Sequence, residues 1–388
     1  MQSQRHKFQL PDDVHYLNGA YMSPLMKSVE EAGIRGMQRK RNPGEVTPDD
    51  FFDDADSVRT LFAELINARP EQIAIIPSVS YGLASAIRNL PLDSGDTVLM
   101  VADEFPSDYY AVAQWCKAHD KRLNTVAAPN SIIQRGETWN RLILESITEN
   151  VVAVVMSSIH WTDGTIFDLK AIGQRCHEVN ARFVVDGTQS VGAMPIDVDA
   201  FRIDALICAG YKWLLGPYAI GLAYYGEVFE HGDPIEEAWV NRVNARDFSS
   251  LTQYSNGYTS GAGRYNVGEY GNFILIPMVK SALEHILDWK VENIRDYCAS
   301  LSDPLSSFFR ENGFWVEEPG RHAPHLMGVG LPTHLDLDKV IADLKARHIY
   351  VSRRGKAIRV SVHVYNTEKD IEVMKEILME EGISKGSH

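Results

Sequence analysis

Cysteine is scarce in this chain, and the four that occur, Cys116, Cys176, Cys208 and Cys298, stand far apart. No two have CxxC spacing, so neither a zinc site nor a disulfide framework is indicated, and a reducing cytoplasm is the expected compartment. Positive charge is also short. Lys and Arg number 38 against 52 Asp and Glu, a net charge of −14. Such a surface repels polyphosphates, so no nucleic-acid partner is expected, although backbone N–H groups can still hold a small anion locally. Long apolar runs are missing too. Nothing approaches the roughly 18 uninterrupted apolar residues of a membrane span, and the polar opening Met1–Asp13 lacks the apolar core of a signal peptide. No membrane partner is expected. There is no internal repeat and no low-complexity tract. The closing Gly386-Ser387-His388 reads as the remnant of a purification tag and carries no fold expectation.

What remains is the pattern of a soluble globular chain, 388 residues long and long enough for a large domain plus a smaller one. The short apolar runs Ile73–Ile76, Thr97–Val101, Val151–Met156, Arg182–Val185 and Ala205–Cys208 read as buried strands. Between them Asp108–His119, Thr138–Glu149 and Asp168–Val179 read as helices, the last capped by the Asp168 carboxylate. Strand–helix alternation predicts an α/β layer with a mainly parallel sheet. After about Tyr225 the pattern breaks. Residues 241–272, rich in Asn, Ser, Tyr and Gly, predict a long loop. Helical periodicity returns from Phe273 to about Phe309. The remainder reads as a smaller α+β unit, with strands Leu326–Val329 and Ala357–Val362 and helices Leu337–Arg347 and Thr367–Glu380.

Two segments carry the chemistry. Arg182-Phe183-Val184-Val185-Asp186-Gly187-Thr188-Gln189 brings an acid to the C-terminal end of a buried strand, where ligands gather in open α/β sheets. Alone, Asp186 could equally be a helix cap or half of an ion pair. Asp204-Ala205-Leu206-Ile207-Cys208-Ala209-Gly210-Tyr211-Lys212-Trp213 places a lysine among apolar neighbours just after another strand. Desolvation lowers the pKa of such an amine and suits it to Schiff-base chemistry; the alternative is a snorkelling surface lysine. Together the two segments match what pyridoxal phosphate (PLP) needs, a lysine for its aldehyde and an acid that keeps its pyridine nitrogen protonated. Gln189 is spaced to donate to the cofactor's phenolate oxygen.

The run D-G-T-Q-S-V-G-A-M-P-I-D-V followed by D-A-L-I-C-A-G-Y-K-W-L-L-G-P resembles the fold-type I PLP enzymes of the class V aminotransferase family, which includes cysteine desulfurases, kynureninases and isopenicillin N epimerase-like proteins. The likeness extends from Tyr16-Leu17-Asn18-Gly19 to Tyr365-Asn366. It implies a three-layer large domain over residues 21–280, a C-terminal small domain over 281–388, and an arm, 1–20, joining the small domain. It implies that Lys212 is the Schiff-base lysine, Asp186 the pyridinium partner and Gln189 the phenolate contact. In P-S-V-S-Y-G, Ser80 and Tyr81 become phosphate ligands, a plain N-cap serine being the alternative. Tyr211 matches the tyrosine that kynureninases use on the phosphate, and Phe105, within F-P-S-D, the ring over the pyridine. Asp163, in H-W-T-D-G-T, is expected near the phenolate oxygen, or else in a simple turn. Arg359 is expected to receive the substrate α-carboxylate, with Arg354 as second choice, since a guanidinium fork makes two parallel bonds to a carboxylate. Arg264, in the long loop, becomes a candidate to cross to the neighbouring subunit's site in a homodimer, a solvated loop arginine being the alternative.

The reaction is less narrowly defined. A desulfurase needs a mobile cysteine near the substrate arginine, and Val351–Ala357 has none. Kynureninases usually carry His where this chain has Gln189. The expected function is therefore a class V aminotransferase or β-lyase acting on a small amino acid through an external aldimine. The alternatives are a kynureninase-like hydrolase and a non-catalytic binding protein on the same fold. A nicotinamide dehydrogenase is disfavoured, because P-S-V-S-Y-G lacks GxGxxG.

Overall fold

The computed structural model describes residues 1–380; Gly386-Ser387-His388 and the last residues of the expected small domain lie outside the described residues. In chain order come β1 (His15–Tyr16), α1 (Lys27–Arg39), α2 (Asp53–Ile66), β2 (Ile73–Ile76), α3 (Val79–Arg88), β3 (Thr97–Val101) and α4 (Pro106–Ala118). Then come β4 (Arg122–Val126), α5 (Arg135–Ser146), β5 (Val151–Ser157), α6 (Leu169–Glu178), β6 (Arg182–Asp186), β7 (Ala205–Ala209) and β8 (Gly221–Tyr225). The C-terminal part holds α7 (Leu275–Trp289), α8 (Val291–Glu311), β9 (Leu326–Gly330), α9 (Leu337–Ala346), β10 (Ile349–Tyr350), β11 (Ser352–Arg354), β12 (Ala357–Ser361) and α10 (Glu368–Glu380).

The central sheet has seven strands in the order β2-β8-β7-β6-β5-β3-β4, parallel except for β8, which is antiparallel to both neighbours. Strands buried on both faces need apolar residues at consecutive positions, and alternation sends them to opposite cores. Ile73, Ile75, Val185 and Leu206 pack on one side with α2, α5, α6 and α7. Ala74, Ile76, Val184 and Ile207 pack on the other with α3 and α4. This makes the expected three-layer α/β fold. Asp168 caps α6, its carboxylate accepting from the Ala171 N–H at 3.0 Å.

Two strands of the sheet escaped the sequence pattern. β4, Arg-Leu-Asn-Thr-Val, is an edge strand and largely exposed, so it lacks the apolar run of its neighbours. β8 begins on a glycine because a Cβ at Gly221 would lie 2.5 Å from the Cys208 carbonyl. The expected single helical stretch from Phe273 is two helices, broken where Lys290 takes φ +64. Residues 241–272 hold only short 3-10 turns, as expected of a loop.

Every parallel strand ends on the same edge of the sheet. The register pairs Ser157 with Asp186 and Asp186 with Ile207, so the ends of β5, β6 and β7 lie level. β9, β11 and β12 form a separate antiparallel sheet, and β1 pairs in parallel with β10, tying the N-terminal segment to the C-terminal part. No helix among the described residues is long and apolar enough to cross a membrane.

Candidate active site

At the C-terminal ends of the parallel strands lies a cavity of about 350 Å³. Its wall includes Ser78, Val79 and Ser80 from the start of α3, Phe105 and Ser107 after β3, Trp161 after β5, Asp186 and Gln189 after β6, and Tyr211, Lys212 and Tyr218 after β7. Lys212 is only 7% exposed, and its Nζ sits 5.7 Å from the centre of the Phe105 ring. Burial pulls its pKa down to about 8; Asp186 acts against this, and the charge of Arg359 acts with it. The shift moves the amine toward the neutral, nucleophilic form that Schiff-base chemistry requires.

Asp186 Oδ1 accepts from the Thr188 N–H at 2.8 Å. Burial pushes its pKa up, while the Thr188 hydrogen bonds and Lys212 oppose. Asp108, fully buried at the start of α4, was not among the expected site residues. Its two oxygens make no hydrogen bond of normal geometry among the described residues. Burial and then the charge of Asp186 push its pKa well above that of a free carboxyl. Glu104 completes this group, accepting from the Ser157 N–H at 2.7 Å and from the Ser157 hydroxyl. A buried acid cluster facing one lysine suits a bound group that carries a ring cation. Only the F-P-S-D context hinted at Asp108, since an acid in the first turn of a helix ordinarily reads as a cap.

At α3, the Ser78 hydroxyl accepts from the Tyr81 N–H at 3.3 Å and lies 3.0 Å from the Ser80 hydroxyl. The Tyr81 amide is engaged by the helix's own cap and its residue does not line the cavity, whereas Ser78, Val79 and Ser80 do. Free N–H groups at a helix start favour an anion there. Tyr211 flanks the same wall, its ring 4.8 Å from that of Tyr218.

Asp163 sits in a buried ion-pair network. Its carboxylate is held by Arg135 at 2.8 Å, by the Thr165 hydroxyl at 2.8 Å and by His160 at 3.2 Å, and it does not line the cavity. Burial alone would raise its pKa, but His160 and Arg135 outweigh burial and lower it. The residue that reaches the cavity from this segment is Trp161, whose ring meets Phe105 edge-on at 5.5 Å.

Arg359 is 1% exposed and, among the described residues, faces no carboxylate. Its Nη1 donates to the Trp161 carbonyl at 2.7 Å, and its Nε and Nη2 have no partner among the described residues. Burial pulls its pKa down to about 9, with the charge of Arg354 adding to the effect. Arg354 lies over the Trp161 ring at 5.3 Å. Arg264 lies apart from the cavity, its guanidinium over Tyr258 at 4.9 Å and its Nη1 on the Gly232 carbonyl at 3.1 Å. All four cysteines are buried and free, and none lines the cavity.

The family model described as aminotransferase class-V matches residues 48–374. The chain belongs to the class-V aminotransferase family. Its cofactor is pyridoxal phosphate, and the cavity's amine, acid cluster and helix start fit that group. Relatives of this chain include an uncharacterized aminotransferase, YcbU, of Bacillus subtilis, 26% identical over 81% of this chain and 80% of the relative. Kynureninase of Shouchella clausii is 23% identical over 98% of this chain and 92% of its own. Among solved structures, the cystine C-S lyase C-DES with its product cysteine persulfide superposes with a TM-score of 0.84 at 18% identity, covering 96% of this chain and 98% of that one. The apo cysteine desulfurase of Thermococcus onnurineus NA1 superposes at 0.80 with 20% identity, over 98% of both chains. At such identities these two establish the shared fold and no more.

Proposed function

We propose that this class-V enzyme carries PLP on Lys212 and acts on a small amino acid as an aminotransferase or β-lyase. The observation that carries the reading is the convergence of buried Lys212, Asp186 and the Ser78–Ser80 helix start on one cavity. When bound, the cofactor supplies an electron sink for charge left at the substrate Cα. Asp186 would face the ring nitrogen and keep its proton, with Asp108 buried beside it. Phe105 would lie on one ring face and Gln189 would donate to the phenolate oxygen. Ser80, Tyr81 and Tyr211 would serve the phosphate, joined by Ser78. Lys212 is the group that would move a proton at the substrate Cα. Arg359 offers its open Nε–Nη2 edge to the α-carboxylate, with Arg354 nearby.

The absence of a cysteine from the cavity wall argues against desulfurase chemistry. A kynureninase-like hydrolase is the second reading, favoured by the kynureninase relatives and by F-P-S-D; Gln189, where kynureninases usually have His, weighs against it. We also propose a cytoplasmic homodimer. The groove containing exposed Met37, Trp239 and Ile274 supports a subunit contact, and Arg264 is our candidate for reaching the neighbouring site. The division into an arm (1–20), a large domain (21–280) and a small domain (281–388) is supported by the pairing of β1 with β10.

The test is reduction of the holoenzyme with borohydride followed by peptide mapping. We expect the cofactor fixed to Lys212 and a loss of the visible band. Label on a different lysine, or on none, overturns the assignment.

A further inference from the structure

Trp213 directly follows the proposed cofactor lysine and is wholly buried. Its indole Nε1–H donates to Gln189 Oε1 at 2.9 Å. An indole nitrogen can only donate, so the amide end it meets must be the oxygen. That contact resolves the flip a primary amide otherwise leaves open. The NH2 end of Gln189 therefore turns the other way, where Nε2 reaches the Ala20 carbonyl at 3.3 Å. An amide nitrogen carries two N–H groups. Ala20 takes one and leaves the other for the cavity that Gln189 lines.

The indole is itself held on two sides. The His363 ring stacks on it at 5.4 Å and 17°, and the His325 ring meets it edge-on at 4.3 Å. His325 Nε2 bonds the Gln189 main-chain carbonyl at 2.6 Å, and since a carbonyl only accepts, that nitrogen carries the proton. Burial pushes His325 down to about 4 and His363 down to about 3, so the frame stays neutral across the ordinary working range.

We propose that Trp213 is a positioning residue whose indole N–H holds Gln189 with its NH2 donor, not its carbonyl, toward the cofactor's phenolate oxygen. This rests on the reading of Gln189 given above. An amide turned the other way would set oxygen against an oxygen anion, giving repulsion where a hydrogen bond is needed. One segment thus delivers both the lysine and the clamp on the donor that faces the same cofactor.

The experiment titrates the visible band of the holoenzyme with pH in Gln189→Leu, Trp213→Phe and the double variant. Losing a donor to an oxygen anion raises the proton affinity of the chromophore. Gln189→Leu should raise the spectral pKa by about one unit, a tenfold change. Trp213→Phe should shift it the same way by at least half as much. The double variant should match Gln189→Leu alone, because the clamp then has nothing to hold. Benzothienylalanine at position 213 keeps the indole shape, removes the N–H and should repeat the shift; it serves if Trp213→Phe does not fold. A position-213 titration that superimposes on the parent while Gln189→Leu is displaced overturns the clamp. So does a shift that persists undiminished in the Gln189→Leu background. An unmoved spectral pKa in Gln189→Leu itself removes the Gln189 contact, and the clamp's purpose with it.

Discussion

A guanidinium out of water and without an acid beside it is costly, and Arg359 is held in that state. The unpaired edge makes sense if an anion arrives with the substrate. Arg359→Ala should therefore leave the visible spectrum of the holoenzyme intact while weakening amino-acid binding. Loss of a charged, hydrogen-bonded partner costs about 2–5 kcal/mol, or roughly thirty- to several-thousand-fold in affinity. Titrating the spectrum with substrate amino acid measures it, and near-parental affinity would place the carboxylate elsewhere. Single residues also show where local pattern misleads. Asp163 follows a strand and looked available to the cofactor, but Arg135, 28 positions upstream, claims its carboxylate. Asp108 was overlooked for the converse reason: only the fold places it against Asp186.

Among the elements, strands with unbroken apolar runs were legible because burial on both faces leaves no other choice of residue. β4 and β8 were not, one being a polar edge and the other beginning with a glycine required by close packing. The connection after β6 shows how tightly one element can constrain another. Gly192 has φ +96, and a Cβ there would stand 2.4 Å from the Trp213 carbonyl. Gly192→Ala must therefore strain its own backbone and push the lysine-bearing turn. We expect a loss of about 1–3 kcal/mol in urea unfolding of the apoprotein, together with faster loss of PLP on dilution. Unchanged stability and retention would mean that the turn has slack this packing does not suggest.

For the whole molecule, the homodimer can be tested by mixing. If Arg264 crosses to the neighbouring site, Arg264→Ala chains alone should retain PLP poorly and Lys212→Ala chains alone should be inactive. Mixed and re-equilibrated, they should recover up to about a quarter of parental activity, since one site of a mixed dimer then has both residues intact. An enzyme that sediments as a monomer while fully active ends that proposal. The N-terminal segment has a consequence in time as well as in space. His15 bonds Asp370 at 2.6 Å across 355 residues of sequence, and five residues further on the Ala20 carbonyl receives Gln189. At about 5–20 residues per second of synthesis, the arm waits on the order of tens of seconds before its partner strand exists. The contacts by which the arm supports the cavity wall therefore cannot form until residues 349–370 have been made.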